Sequence, residues 1–120
     1  MKFEQTNYGN KKEILKFPDH YVAVPVTFDD AGVVANADGK KIIPAGSIVG
    51  GGVLANPNTV KATIQNDADA EGIAFNDVDV TYGPRGGAML VHAFIDLAKL
   101  PEPPTAEAIT ALSGRILFLK

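Results

Sequence analysis

Three features of this 120-residue chain place chemistry-bearing residues at suggestive spacings. In Pro44-Ala45-Gly46-Ser47-Ile48-Val49-Gly50-Gly51-Gly52, Gly46 and Gly51 stand as in a phosphate-binding loop. The same stretch holds Gly46-Ser47, a dipeptide from which a strained backbone can shift an acyl group to the serine hydroxyl and cleave, leaving a pyruvoyl group. Asp67, Asp69, Glu71 and Gly72 repeat the opening of a calcium loop. His20 and His92 are the two imidazoles.

Each feature meets a requirement that its neighbours do not supply. A phosphate loop needs a lysine directly after its second glycine, and Gly52 stands there; both flanks read as strand, without the helix N-terminus that holds an anion. Self-cleavage needs polar partners to drive the acyl shift and a cation to hold a carboxylate. Lys40 and Lys41 are the nearby candidates, which keeps a small pyruvoyl-dependent decarboxylase as an alternative. A tight corner fits better: Pro44 sets φ at the first corner, Gly46 closes the turn, Ile48-Val49 resume a strand, and the glycines let the backbone bend. The calcium loop fails at its twelfth position, Val78, so 67–72 reads as a solvated acidic loop. Neither histidine has a serine, cysteine or second histidine at ligand spacing, and His92 reads as a hydrogen-bonded core or interface residue. Asp77 and Asp79 share a strand face that defaults to solvent. The chain has no cysteine, which removes disulfides, thiolate metal sites and thiol nucleophiles. The residues thus point to no catalytic centre, no cofactor and no metal.

The elements that would position these residues are mostly strands. Val22, Val24, Val26 and Phe28 alternate with smaller or polar residues, and Pro25 puts that strand on an edge or at a bulge. Val33–Ala35 reads as a short strand turned by Asp38-Gly39 into Lys40–Ile43. Val60–Ile64, Gly72–Phe75 and Asp77–Tyr82 read as strands, the last with Val78, Val80 and Tyr82 inward. Gly83–Gly87 is a turn cluster. Ala88–Leu97 is apolar on both faces, Met89, Val91, Ala93, Ile95 and Leu97 on one and Leu90, His92 and Phe94 on the other, as in a central strand. Thr105 is a fitting N-cap for a helix over Ala106–Leu112, with Gly114 just past its end, and Arg115–Leu119 is a last strand. The fold class is mainly β: a small β-rich, barrel- or tulip-like single domain with one short helix towards the C-terminus.

Length allows one domain. The opening residues are polar and no apolar run approaches a membrane span, so a soluble, cytosolically made protein without membrane contact is expected. The net charge of −3 argues against a general nucleic-acid binder. Charge is uneven, however. Residues 1–17 carry four lysines against two glutamates, while the remainder is acidic. The division expected is an extended arm over 1–17 and a β-rich body over 18–120. Phe3, Tyr8, Ile14, Leu15 and Phe17 are candidate anchors in the arm, and Lys11, Lys12 and Lys16 would steer it to an acidic surface. An extended arm gains backbone hydrogen bonds by joining an exposed sheet edge. A generic virion- or cell-surface binding module, for example one for carbohydrate, would need an aromatic platform, and the aromatics are scattered along the sequence.

The order of short motifs over Ile43–Leu119 resembles a known family. Pro44-Ala45-Gly46-Ser47-Ile48-Val49-Gly50 is followed by Glu71-Gly72-Ile73-Ala74, then by Asp77-Val78-Asp79-Val80-Thr81-Tyr82-Gly83. An apolar run from Ala88 to Pro101, a short helix and Gly114-Arg115-Ile116-Leu117-Phe118-Leu119 complete the series. This order is similar to the lambda-type head decoration proteins of tailed bacteriophages. The resemblance implies a homotrimer without enzymatic activity that docks on the outer surface of the expanded virion head, after assembly in the host cytoplasm. It further implies that the trimer clamps major capsid proteins against internal DNA pressure, its N-terminal arm adding a strand to their sheets.

Overall fold

The computed structural model describes residues 14–17 and 19–119. Phe3, Tyr8, Lys11 and Lys12 lie outside the described residues. The described chain is one mostly β domain with a single α-helix. Its strands are β1 (Tyr21–Phe28), β2 (Ile42–Ile43), β3 (Ile48–Gly50), β4 (Thr63–Ile64), β5 (Ala70–Ala74), β6 (Val78–Asp79), β7 (Arg85–Asp96) and β8 (Ile116–Leu119). A 3-10 turn at Leu97–Lys99 leads towards α1 (Ala106–Leu112).

The main sheet runs β1-β7-β5-β3-β4, with β8 parallel to β7 and every other pair antiparallel. The apolar run expected at the centre is there, and it is longer than its hydrophobic stretch. Arg85, Gly86 and Gly87, read as a turn from their glycines, pair with Phe28, Thr27 and Val26. A side chain at position 87 would come within 2.8 Å of the Phe28 ring. Glycine there lets the fully buried ring lie across the strand. Pro25 lies in β1, which bonds β7 on one side and occupies an edge, so its missing N–H costs no interior ladder bond.

The two faces of the sheet carry separate apolar clusters. On one side Ile48, Ile73, Leu90, Ala93 and Ile95 pack with Ala108 and Leu112 of α1 and with Ile116. On the other, Val26, Phe28, Val49, Ala74 and Met89 pack with Ile43 and Val78 of the two-stranded β2–β6 ribbon. Neighbours such as Ile48 and Val49, or Ile73 and Ala74, divide between the clusters, as pleating requires. Simple alternation fails in β7. The register against β1 shifts between Val22, opposite His92, and Ala23, opposite Leu90, so Val91 is an extra residue. This bulge inverts the parity: Leu90 and Ala93, three apart, serve the same cluster.

Other expectations were lost to longer-range geometry. Val33–Ala35 forms no strand, because the Asn36 side chain takes the Asp38 and Lys40 amides and closes the loop itself. Tyr82 is fully exposed, since the chain turns after Val80 with the Gly83 N–H on the Val80 carbonyl. The helix follows its local signals: the Thr105 hydroxyl accepts the Ala108 N–H at 3.1 Å, and Gly114 has φ 85° just beyond the end. Asn66 anchors this start, accepting the Thr105 N–H on its side chain and the Thr105 hydroxyl on its carbonyl.

Residues 14–16, expected within the arm over 1–17, lie against the domain. Ile14 is fully buried and Leu15 nearly so, both in the α1-side core. The Asp96 N–H donates to the Ile14 carbonyl, Leu15 bridges Ile95, and the Lys16 N–H donates to the Phe94 carbonyl. Residues 14–16 thus extend the β1 edge along β7 on the near side of the Phe17–His20 turn. Ile14 and Leu15, expected as anchors for a partner, anchor the domain's own core.

Candidate docking surface

The stretches that open the sequence reading are occupied by the chain itself. Ala45 and Gly46 form the corner of a turn closed by the Ser47 N–H on the Pro44 carbonyl, and Gly46 has φ 93°. Pro44 supplies the accepting carbonyl rather than the first corner. The Ser47 hydroxyl donates to that same carbonyl at 2.7 Å, and the Asp77 carboxylate accepts the Ala45 N–H at 2.7 Å. Ser47 lines a cleft of about 420 Å³ with Pro44, Ile64, Asn66, Pro101 and Glu102. The glycine run presents amides as a phosphate loop would, but the carboxylate they hold is Glu71, which accepts from Gly52 at 2.7 Å and Val53 at 2.6 Å. Asp67 accepts the Asp69 N–H, an ordinary Asx turn. Asp79 accepts from the Thr81 hydroxyl and N–H, which with nearby Lys40 and Arg85 hold its carboxyl below the usual carboxylate range. Among the described residues, no three histidine, aspartate or glutamate side chains gather at one point, and no buried side-chain nitrogen or oxygen lacks a partner.

Among the described residues, one end of a sheet face stays partly open. Past the Val91 bulge, His92 and Phe94 point away from the α1-side core. Val22 lies beside His92 in register and Leu117 beside Phe94, so all four share that face. Val22 is 51% and Leu117 44% exposed. The Phe17–His20 turn lies over them: the Phe17 ring meets Phe94 edge-on at 5.5 Å, and His20 rests on both Phe94 and His92. Phe17 remains 51% exposed. Beside this patch β8 pairs, among the described residues, with β7 alone.

Of the sequence-selected arm residues, Phe17 and Lys16 are exposed here and Ile14 and Leu15 are core. Val22, Phe94 and Leu117 escaped the reading, because their shared face depends on a bulge and on a strand pairing that no local pattern marks. The aromatics scattered in sequence do gather, but the Phe17 and Phe94 planes stand at 75° to one another. They pack as an interdigitated cluster rather than the coplanar platform on which a sugar ring stacks. No family model matches the chain, and no curated protein matches it in sequence.

Proposed function

We infer that this chain is a capsid decoration protein, a homotrimer that docks on the expanded phage head and stabilises the shell. The observation that carries the reading is the apolar face on which, among the described residues, Phe17, Val22 and Leu117 stay exposed around the partly covered Phe94. Exposed apolar patches of this kind mark interaction surfaces. The segment preceding residue 14 holds Phe3, Tyr8, Lys11 and Lys12. In this reading it adds a strand to a capsid-protein sheet, while the face seats against a neighbour. Three such segments per trimer multiply a weak individual hold. Each motif of the family-like series also has a definite place: the Ser47 turn, β5, β6, β7, α1 and β8. The barrel-like body belongs to the same proposal. Its support is the single bridge from Phe28 to Ala62, which brings the β1 edge against the residue preceding β4.

The test is to mix the purified protein with expanded empty capsids and measure occupancy. The full chain should saturate threefold sites. Deleting residues 2–13 should abolish binding while the domain stays folded, and Leu117→Asp should weaken it. Full occupancy by the truncated chain would refute the role of the segment, and no binding by the intact chain would refute the function.

A further inference from the structure

We propose that His20 and His92 form a surface site for one divalent late transition-metal ion, with Cu2+ and Ni2+ the best fits. The proposal is independent of the capsid reading. The two Nε2 atoms stand 2.9 Å apart although the residues are 72 positions apart in sequence. The bulge at Val91 decides their meeting: under regular alternation through Val91, His92 would share the face of Leu90 and enter the α1-side core.

The tautomer of His92 is fixed. Its Nδ1 lies 2.7 Å from the Arg115 carbonyl, which can only accept, so Nδ1 carries the hydrogen and Nε2 presents a lone pair to His20. Arg115 is itself tied down by its guanidinium on the Glu71 carbonyl at 2.8 Å. An imidazole whose second nitrogen donates to a backbone carbonyl is the usual outer support of a metal ligand. In the metal-free chain the His20 Nε2–H donates to His92. His20 is exposed, so it can carry its hydrogen on Nδ1 with water as partner, which turns both lone pairs inward.

The geometry selects the ion. With metal–nitrogen bonds of about 2.0–2.1 Å, donors at the observed separation subtend about 90° at the metal. That is the angle between adjacent positions of a tetragonal or octahedral site, the preference of Cu2+ and Ni2+, and tighter than a tetrahedral zinc site. No third histidine, aspartate or glutamate joins the pair among the described residues. The remaining positions therefore belong to water or to a donor from a docked neighbour. A bound ion would pin the Phe17–His20 turn to β7.

Calorimetric titration of the full chain, freed of metal, with NiCl2 and CuCl2 tests the site. The wild type should bind one ion per chain at these imidazoles. Loss of an outer-shell partner alone costs about 10–100-fold in affinity, so His20→Ala and His20→Gln should each weaken binding at least tenfold. Both change an exposed turn residue, and an unaltered metal-free melting point verifies their fold. Metal should raise the melting point of the wild type and not of these variants. Electron paramagnetic resonance of the Cu2+ form should show two imidazole nitrogens. Equal affinity in wild type and His20→Ala, as copper on the terminal amine would give, overturns the proposal, and so does a spectrum with one nitrogen or none.

Discussion

Replacing Ile14 by alanine separates a residue of a loose arm from a residue of the core. Ile14 has no exposed surface, lies among Ala45, Ile48, Ile95 and Leu112, and holds the Asp96 N–H through a backbone carbonyl that the substitution keeps. The change removes three buried carbons, about 2.4 kcal/mol at roughly 0.8 kcal/mol for each. The void left behind adds to this, giving about 3 kcal/mol, within the range of about 2–5 kcal/mol for such truncations. For a domain of this size that corresponds to a melting point lower by roughly 12 °C. Urea unfolding followed by circular dichroism reads the loss as a shifted midpoint at unchanged slope. Val22→Ala is the control: a half-exposed side chain in the adjoining strand should cost about 0.5–1 kcal/mol. If Ile14→Ala moved stability by less than about 0.5 kcal/mol, residues 14–16 would not belong to the sheet and the placement of the boundary would fail. The same logic separates two truncations. Removal of residues 2–13 leaves the core intact, whereas removal through residue 17 takes Ile14 and Leu15 with it.

Gly87→Ala forces a methyl group against the Phe28 ring and should cost about 1–3 kcal/mol by the same unfolding assay; a neutral result would mean the ring is not held across β7. The Asp79 carboxyl titrates below the usual carboxylate range because the folded state favours its charged form. Its stabilisation is therefore present at neutral pH and lost as acid carries the solution down through that range to the folded value. Thr81→Val should flatten this acid limb of the stability profile, and an unchanged limb would count against the assignment. Ser47→Ala loses one hydroxyl donor to Pro44, about 1 kcal/mol, and should leave capsid occupancy unchanged. Intact mass should show a single uncut chain in the wild type, whereas two fragments divided at Gly46-Ser47 would restore the pyruvoyl reading.

Local features of this fold were readable and distant ones were not. Thr105, the helix it caps and Gly114 obey rules confined to a few residues, and Pro25 marks an edge whatever its partner. The run from Ala88 reads as central because it is apolar on both sides. Its upstream extension through two glycines does not, since those glycines serve the Phe28 ring. Tyr82 continues an alternation that the backbone has abandoned after Val80. The exposed apolar face was not legible for a related reason: one inserted residue in β7 decides which side His92 and Phe94 take, and nothing in the order of side chains announces it. Ile14 and Leu15 look like part of a polar, lysine-bearing leader, and their partners lie some eighty residues further along.

β7 has a consequence for how the protein is made. Four segments depend on this one strand: residues 14–16, β1, β5 and β8. Two of them are synthesised long before it, and among the described residues β1 has no other strand neighbour in the sheet. On the ribosome residues 14–16 and most of β1 therefore lack their β7 partners until synthesis has passed residue 96. Folding should be slow for so small a domain, and a nascent chain stalled before β7 should be the species that chaperones capture.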